Sequence, residues 1–178
     1  MDLLRALLAG LLLVAPGLSL AQGSPSEVEI KAAFLYKFGS YVEWPPAAFA
    51  SPTSAIEIGV LGADAIADEL ERIVAGRTVH DRPVVVRRLH RGDPLAGLHA
   101  LFVGAGEGAR TEQTLARAKG LPLLVVTEAQ QGPPAGSMIN FVSEADKVRF
   151  DVALAPAEQG RLKISARLLA VARKVITT

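Results

Sequence analysis

Between residues 56 and 126 the chain alternates short, mostly apolar runs with stretches of helical character, and that alternation leaves few folds open. The runs are Ile56-Glu57-Ile58-Gly59-Val60-Leu61, Pro83-Val84-Val85-Val86, His99-Ala100-Leu101-Phe102-Val103 and Leu123-Leu124-Val125-Val126. Each is too short for a helix and too apolar for a strand with one wet face. Strands of this kind belong to a mostly parallel sheet covered on both sides. After the first run Gly62 turns the chain, and Asp64 is placed to cap a helix with Ile66, Leu70, Ile73 and Val74 on its buried face, stopped by Gly76. A weaker helix, poor in apolar positions, is expected near 109–119 and is closed by Gly120.

The flanks complete the outline. Ser26-Glu27-Val28-Glu29 is a capping box, with the Ser side chain facing the N3 amide and Glu29 reaching back. It opens a helix with Ile30, Phe34, Phe38 and Tyr41 or Val42 at helical spacing, which Pro45-Pro46 ends. Beyond the fourth strand the pattern changes to two alternating segments, at least one of them half-exposed. Met138 to Val142 and Val148 to Val152 flank the polar Ser143-Glu144-Ala145-Asp146-Lys147, which reads as a β-hairpin. Ser165 then caps a last helix whose inward face is Leu168, Leu169, Ala172, Val175 and Ile176. The expected fold is a three-layer α/β domain: a mostly parallel sheet with a C-terminal antiparallel hairpin and helices on both faces. There is no repeat, low-complexity tract or interdomain linker.

The N-terminus indicates compartment. Arg5, the leucine-rich stretch from Leu7 to Val14, Pro16-Gly17 and then Ser19-Leu20-Ala21 form a cleavable leader over residues 1–21, with the mature chain starting near Gln22. The apolar run is short of the ~20 residues a spanning helix needs. Without an Arg-Arg pair, export as an unfolded chain is expected. Nothing later is long and apolar enough to insert into a bilayer. The 178 residues contain no Cys, which excludes disulfides, thiol nucleophiles and thiolate metal sites. Nineteen basic residues against 18 acidic leave a net charge of +1, with no electrostatic footprint for nucleic acid or anionic lipid.

One motif resembles enzyme machinery. Gly104-Ala105-Gly106-Glu107-Gly108-Ala109 follows a strand and precedes a helix, matching G-x-G-x-x-A, and Glu128 lies beyond the next strand. Read literally, it is a dinucleotide fingerprint. Against this, it sits on the third strand–helix unit rather than the first, and Glu107 places a carboxylate inside the anion cradle. The other reading is a glycine-rich connection. His80, His90 and His99 share no metal-ligand spacing. His99, opening an apolar strand, reads as a hydrogen-bonded core histidine. His80 and His90, with Arg82, Arg87, Arg88 and Arg91, form a basic stretch that holds an anion or a partner's acidic patch, or is solvated surface, the default reading. There is no G-x-S-x-G elbow and no S-x-x-K, so no catalytic set, metal site or cofactor emerges.

Several segments together resemble the YfiR/HmsC-like family. Lys31-Ala32-Ala33-Phe34-Leu35-Tyr36-Lys37-Phe38 runs into Tyr41-Val42-Glu43-Trp44-Pro45. Then come Ile58-Gly59-Val60-Leu61-Gly62, the His99–Val103 strand, Gly136-Ser137-Met138-Ile139-Asn140-Phe141, Val148-Arg149-Phe150-Asp151, and Leu162-Lys163-Ile164-Ser165-Ala166-Arg167-Leu168-Leu169. They occur in order along nearly all of residues 22–178, which the resemblance marks as a single YfiR-like α/β domain.

The resemblance implies a periplasmic regulator, not an enzyme, that restrains an inner-membrane diguanylate cyclase through its periplasmic sensor domain. Cyclic di-GMP signalling and biofilm formation would follow its state. Some members pair, so a homodimer is a state the resemblance allows without requiring it. Members often carry Cys before the strand histidine; this chain has Leu98, so a disulfide switch cannot operate here. The candidate partner- or ligand-binding residues are Tyr36, Lys37, Tyr41, Glu43 and Trp44, with Asn140 and Phe141 on the hairpin. A periplasmic small-solute binding protein feeding a transporter or receptor is the alternative, and a dinucleotide-dependent exported enzyme rests on the glycine loop alone.

Overall fold

A computed structural model of the chain describes residues 25–177, so the leader expected over residues 1–21 lies outside the described residues. The elements begin with α1 (Glu27–Gly39), β1 (Val42–Glu43), a 3-10 turn (Pro46–Ala48), β2 (Ile56–Leu61), α2 (Asp64–Val74), β3 (Thr78–Val79), β4 (Arg82–Leu89) and β5 (Ala100–Val103). A 3-10 stretch (Ala105–Arg110), α3 (Thr111–Ala118), β6 (Leu124–Thr127), β7 (Ile139–Glu144) and β8 (Lys147–Ala153) follow. The chain closes with α4 (Leu154–Gln159), β9 (Lys163–Ile164), α5 (Ala166–Val171) and β10 (Lys174–Ile176).

Eight strands form one sheet in the order β10-β8-β7-β6-β5-β2-β4-β3. All of its pairings are parallel except the β3–β4 and β7–β8 hairpins. The alternation along the central strands shows why they are mostly apolar. In β5, Ala100 and Phe102 enter one core while Leu101 and Val103 enter another, and β6 splits in the same way. The larger core lies under α1 and α2 and takes in Ala157 of α4 and Leu168 of α5. The smaller one lies under α3, with Leu95, Leu98 and Leu121 from the loops. Both faces are covered, but unequally, because neither the β4–β5 nor the β6–β7 connection contains a helix.

The capping box forms as expected, with Ser26 and Glu29 each bonded to the other's backbone amide. Other boundaries differ. α1 stops at Gly39, not at Pro45-Pro46: the amides of Ser40 and Tyr41 close its last turn, and Val42 leaves to pair with Ile164 across β1 and β9. Ala63, with no side-chain bond, occupies the cap of α2 that was expected of Asp64. The hairpin turn is only Ala145-Asp146, both at positive φ (47° and 58°), so the flanking polar residues are strand. Ser165 caps α5 by accepting from Leu168 N–H, yet that helix is six residues long. Ala172 lies outside it, and Val175 and Ile176 join β10, drawn into a parallel ladder along the open edge of β8.

Candidate functional site

β4 intervenes in the chain between β2 and β5, yet these two strands are direct neighbours in the sheet. Their carboxyl ends mark the point where the strand order reverses, the place at which open α/β sheets hold ligands. Here the protein's own backbone and Glu128 occupy part of that point, between open clefts of about 190 and 300 Å³. Gly104 N–H donates to Leu61 O at 2.8 Å. A Cβ on Gly104 would lie 2.5 Å from Gly62 O, and one on Gly106 2.9 Å from the same oxygen. The glycines of the loop therefore allow two backbones to pack together. Glu107 is buried and accepts from Arg91 Nε at 3.2 Å.

The amide that would greet a phosphate is also taken. Ala105 N–H donates to Glu128 Oε1 at 2.6 Å. Glu128 Oε2 receives Lys31 Nζ at 2.6 Å, and the same ammonium reaches Glu27 Oε1 at 2.5 Å. Lys31 comes from α1 and its side chain is 8% exposed. Burial pushes its pKa down, but the carboxylates of Glu128 and Glu27 outweigh that, and the net shift is upward. The three side chains tie α1, the glycine loop and the end of β6 into one strut. A dinucleotide would have to displace Glu128, so the geometry favours the connection reading of the glycine motif.

Asn140 and Phe141, which sequence singled out as contact residues, do not reach the surface, being 0% and 1% exposed. Asn140 Oδ1 accepts from the Thr127 hydroxyl (2.7 Å) and Ala129 N–H (2.8 Å), while its Nδ2 donates to Ala129 O (2.9 Å). It thereby fixes the backbone on either side of Glu128. Phe141 packs against Phe34, Phe38 and Phe102 with ring centroids 5.7 to 6.1 Å apart. Trp44 is also buried, its indole N–H donating to His99 O at 2.8 Å.

The remaining candidates are accessible. Lys37 and Glu43 are exposed and Tyr36 and Tyr41 half-buried. Tyr36 donates through its hydroxyl to Thr78 O at 3.0 Å. Glu43 stands opposite Lys163 in the β1–β9 ladder, which brings a residue of the Leu162–Leu169 segment to this surface. The basic stretch is dispersed: Arg82 binds the Ser51 and Ser54 carbonyls, Arg87 pairs with Glu57, and Arg88 with Asp68 and Glu71. Among the described residues no cluster of three or more His, Cys, Asp or Glu is arranged to hold a metal.

His99 holds the segment that follows Trp44. Its Nδ1 accepts from Glu57 N–H at 3.1 Å, which leaves Nε2 to donate to Ala48 O at 3.1 Å. Its ring stacks on Phe49 at 4.4 Å, and the Arg82 guanidinium lies 3.7 Å from the Phe49 ring centroid. Burial holds the imidazole pKa below its usual 6.5, against the pull of the Ala48 carbonyl and Glu57. The neutral ring is the one the fold accepts. Unfolded chains take up a proton near pH 6.5 and the native one does so lower. Stability is therefore full above about 6.5 and falls as pH drops below it toward the folded pKa. Between pH 7.5 and 5 the melting temperature of His99→Gln is expected to fall less steeply than that of the unchanged protein. Parallel slopes would show that His99 does not carry the effect.

The motif residues thus serve an α/β framework, with Lys31, Glu128 and the glycine loop at the carboxyl ends of the strands and the exposed stretch of α1 and β1 at the opposite end, beside Thr78 and the start of β5. The YfiR/HmsC-like family model matches residues 28–173, and the chain belongs to that family. A search of curated proteins finds no match. Among the described residues no helix is long and apolar enough to cross a membrane.

Proposed function

We propose that this protein is a periplasmic regulatory binding protein, not an enzyme, that restrains a membrane-bound diguanylate cyclase through the cyclase's periplasmic domain. Cyclic di-GMP level and biofilm formation then depend on its state. The observation that carries this reading is the family match over residues 28–173. The Glu128 carboxylate on the Ala105 amide supports it over the dinucleotide reading, since it takes a donor that a phosphate would need. Export with cleavage near Gln22, one domain over 22–178 and a homodimer belong to the same reading.

Tyr36, Lys37, Tyr41 and Glu43 form the contact surface, with Trp44 and Phe141 packed behind it, while Asn140 holds the backbone around Glu128. Leu98, where relatives often carry Cys, is buried in the smaller core, so the input is a ligand or partner with different affinity for the free and bound forms. Deleting the gene is expected to raise cellular cyclic di-GMP, and the unchanged protein to restore it. Lys37→Glu and Glu43→Gln, at exposed sites, are expected to melt as the unchanged protein does yet fail to restore it. Full restoration by both variants would remove these residues from the interface, and an unchanged cyclic di-GMP level on deletion would remove the cyclase reading itself.

A further inference from the structure

The basic stretch that disperses along β4 leaves one arginine over, and the fold gives it company. Past Leu89 the chain turns so that Arg91 faces the start of α3. There Arg110, Gln113, Thr114 and Arg117 recur at helical spacing i, i+3, i+4 and i+7. That spacing usually makes a core stripe; here it is polar and lines an open cleft of about 340 Å³ with Arg91 and Glu107.

The charges in this cleft do not cancel. Glu107 is its one carboxylate and is engaged by Arg91 Nε at 3.2 Å. Arg117 donates to the main-chain oxygens of Asp93 (2.6 Å) and Gly92 (3.4 Å), neutral acceptors that orient the guanidinium without compensating it. The Asp93 carboxylate is turned to His90, accepting from its backbone N–H at 2.8 Å. Arg110 has no carboxylate within ion-pair distance among the described residues. Three guanidinium groups thus share one buried carboxylate. A planar fork with spare N–H donors is the group best suited to hold a carboxylate or phosphate in two parallel bonds.

We propose that this cleft binds a compact oxyanion, a carboxylate or phosphate group, gripped by Arg110 and Arg117 with Arg91 on the opposite wall. The site is separate from the α1–β1 surface and does not depend on the cyclase reading. The test is a ¹H–¹⁵N NMR titration of the purified protein with inorganic phosphate, with malonate, and with chloride at matched ionic strength. Saturable shifts at Gly92 and over residues 110–117 with phosphate, malonate or both are expected, and the stronger probe identifies the ligand's head group. Arg110→Gln should weaken that binding at least about tenfold with the melting temperature unchanged. Shifts that do not saturate, that chloride reproduces, or that Arg110→Gln leaves intact would overturn the proposal.

Discussion

Gly104→Ala is expected to destabilise the protein by about 2–4 kcal/mol. The backbone at Gly104 is ordinary, with φ −74° and ψ 163°, so alanine meets no conformational penalty there. The cost is steric. The added methyl would stand 2.5 Å from Gly62 O and 2.8 Å from Ala63 Cβ, at the junction of β2 with α2, and neither atom belongs to a side chain that can swing away. Gly120→Ala is the matching control, since its φ of +76° is strained for alanine but its Cβ would meet nothing within 4 Å. That substitution should cost only about 1–2 kcal/mol. Urea midpoints at constant m-value separate the two. Equal losses would mean that the loop is not packed against Gly62 and that its glycines serve another purpose.

Lys31→Met should cost about 2–4 kcal/mol. Methionine keeps most of the apolar stem but removes the ammonium from between Glu27 and Glu128. Glu128, whose side chain is 14% exposed, then keeps the Ala105 amide but no cation. Adding Glu128→Gln should recover part of the loss, and the non-additivity in a double-mutant cycle measures the pair. The pH dependence has the opposite sense to that of His99. A lysine whose folded pKa is raised stabilises the fold fully below the unfolded value of about 10.5, and the contribution is lost as pH rises through the folded value. Lys31→Met should flatten the alkaline limb of the stability profile. An unaltered limb would show that the strut contributes nothing measurable.

What could be read from the chain alone follows the range of the forces involved. The capping box of α1 and the Ser165 cap are bonds between residues three apart, so composition at those positions was enough. β5 was legible because burial on both faces leaves it no polar position, and β2 and β6 each carry only one, Glu57 and Thr127. Helix ends were not: α1 and α5 stop early because β1 meets β9 and Lys174–Ile176 meets β8, pairings between distant segments. α4 was missed altogether, being one six-residue segment with a proline inside.

The candidate site divides in the same way. Lys31 was visible as a motif residue and Glu128 as a fingerprint acid, but their ion pair spans 97 positions. Trp44 looked like an interface aromatic because nothing local revealed that its indole N–H meets His99 O, 55 positions on. Asn140 was recognised as a polar residue amid apolar neighbours, and its three bonds to Thr127 and Ala129 give the buried reason. The polar stripe of α3 gained meaning only when the turn after β4 laid Arg91 beside it.

The most direct test of the regulatory reading is capture of partners from detergent-solubilised membranes of the native organism by the tagged protein, with mass spectrometry of what is retained. Recovery of a diguanylate cyclase carrying a periplasmic domain, reduced when Lys37→Glu is the bait, is the expected result. Recovery of a transporter or kinase in its place, or of no membrane protein at all, would contradict it.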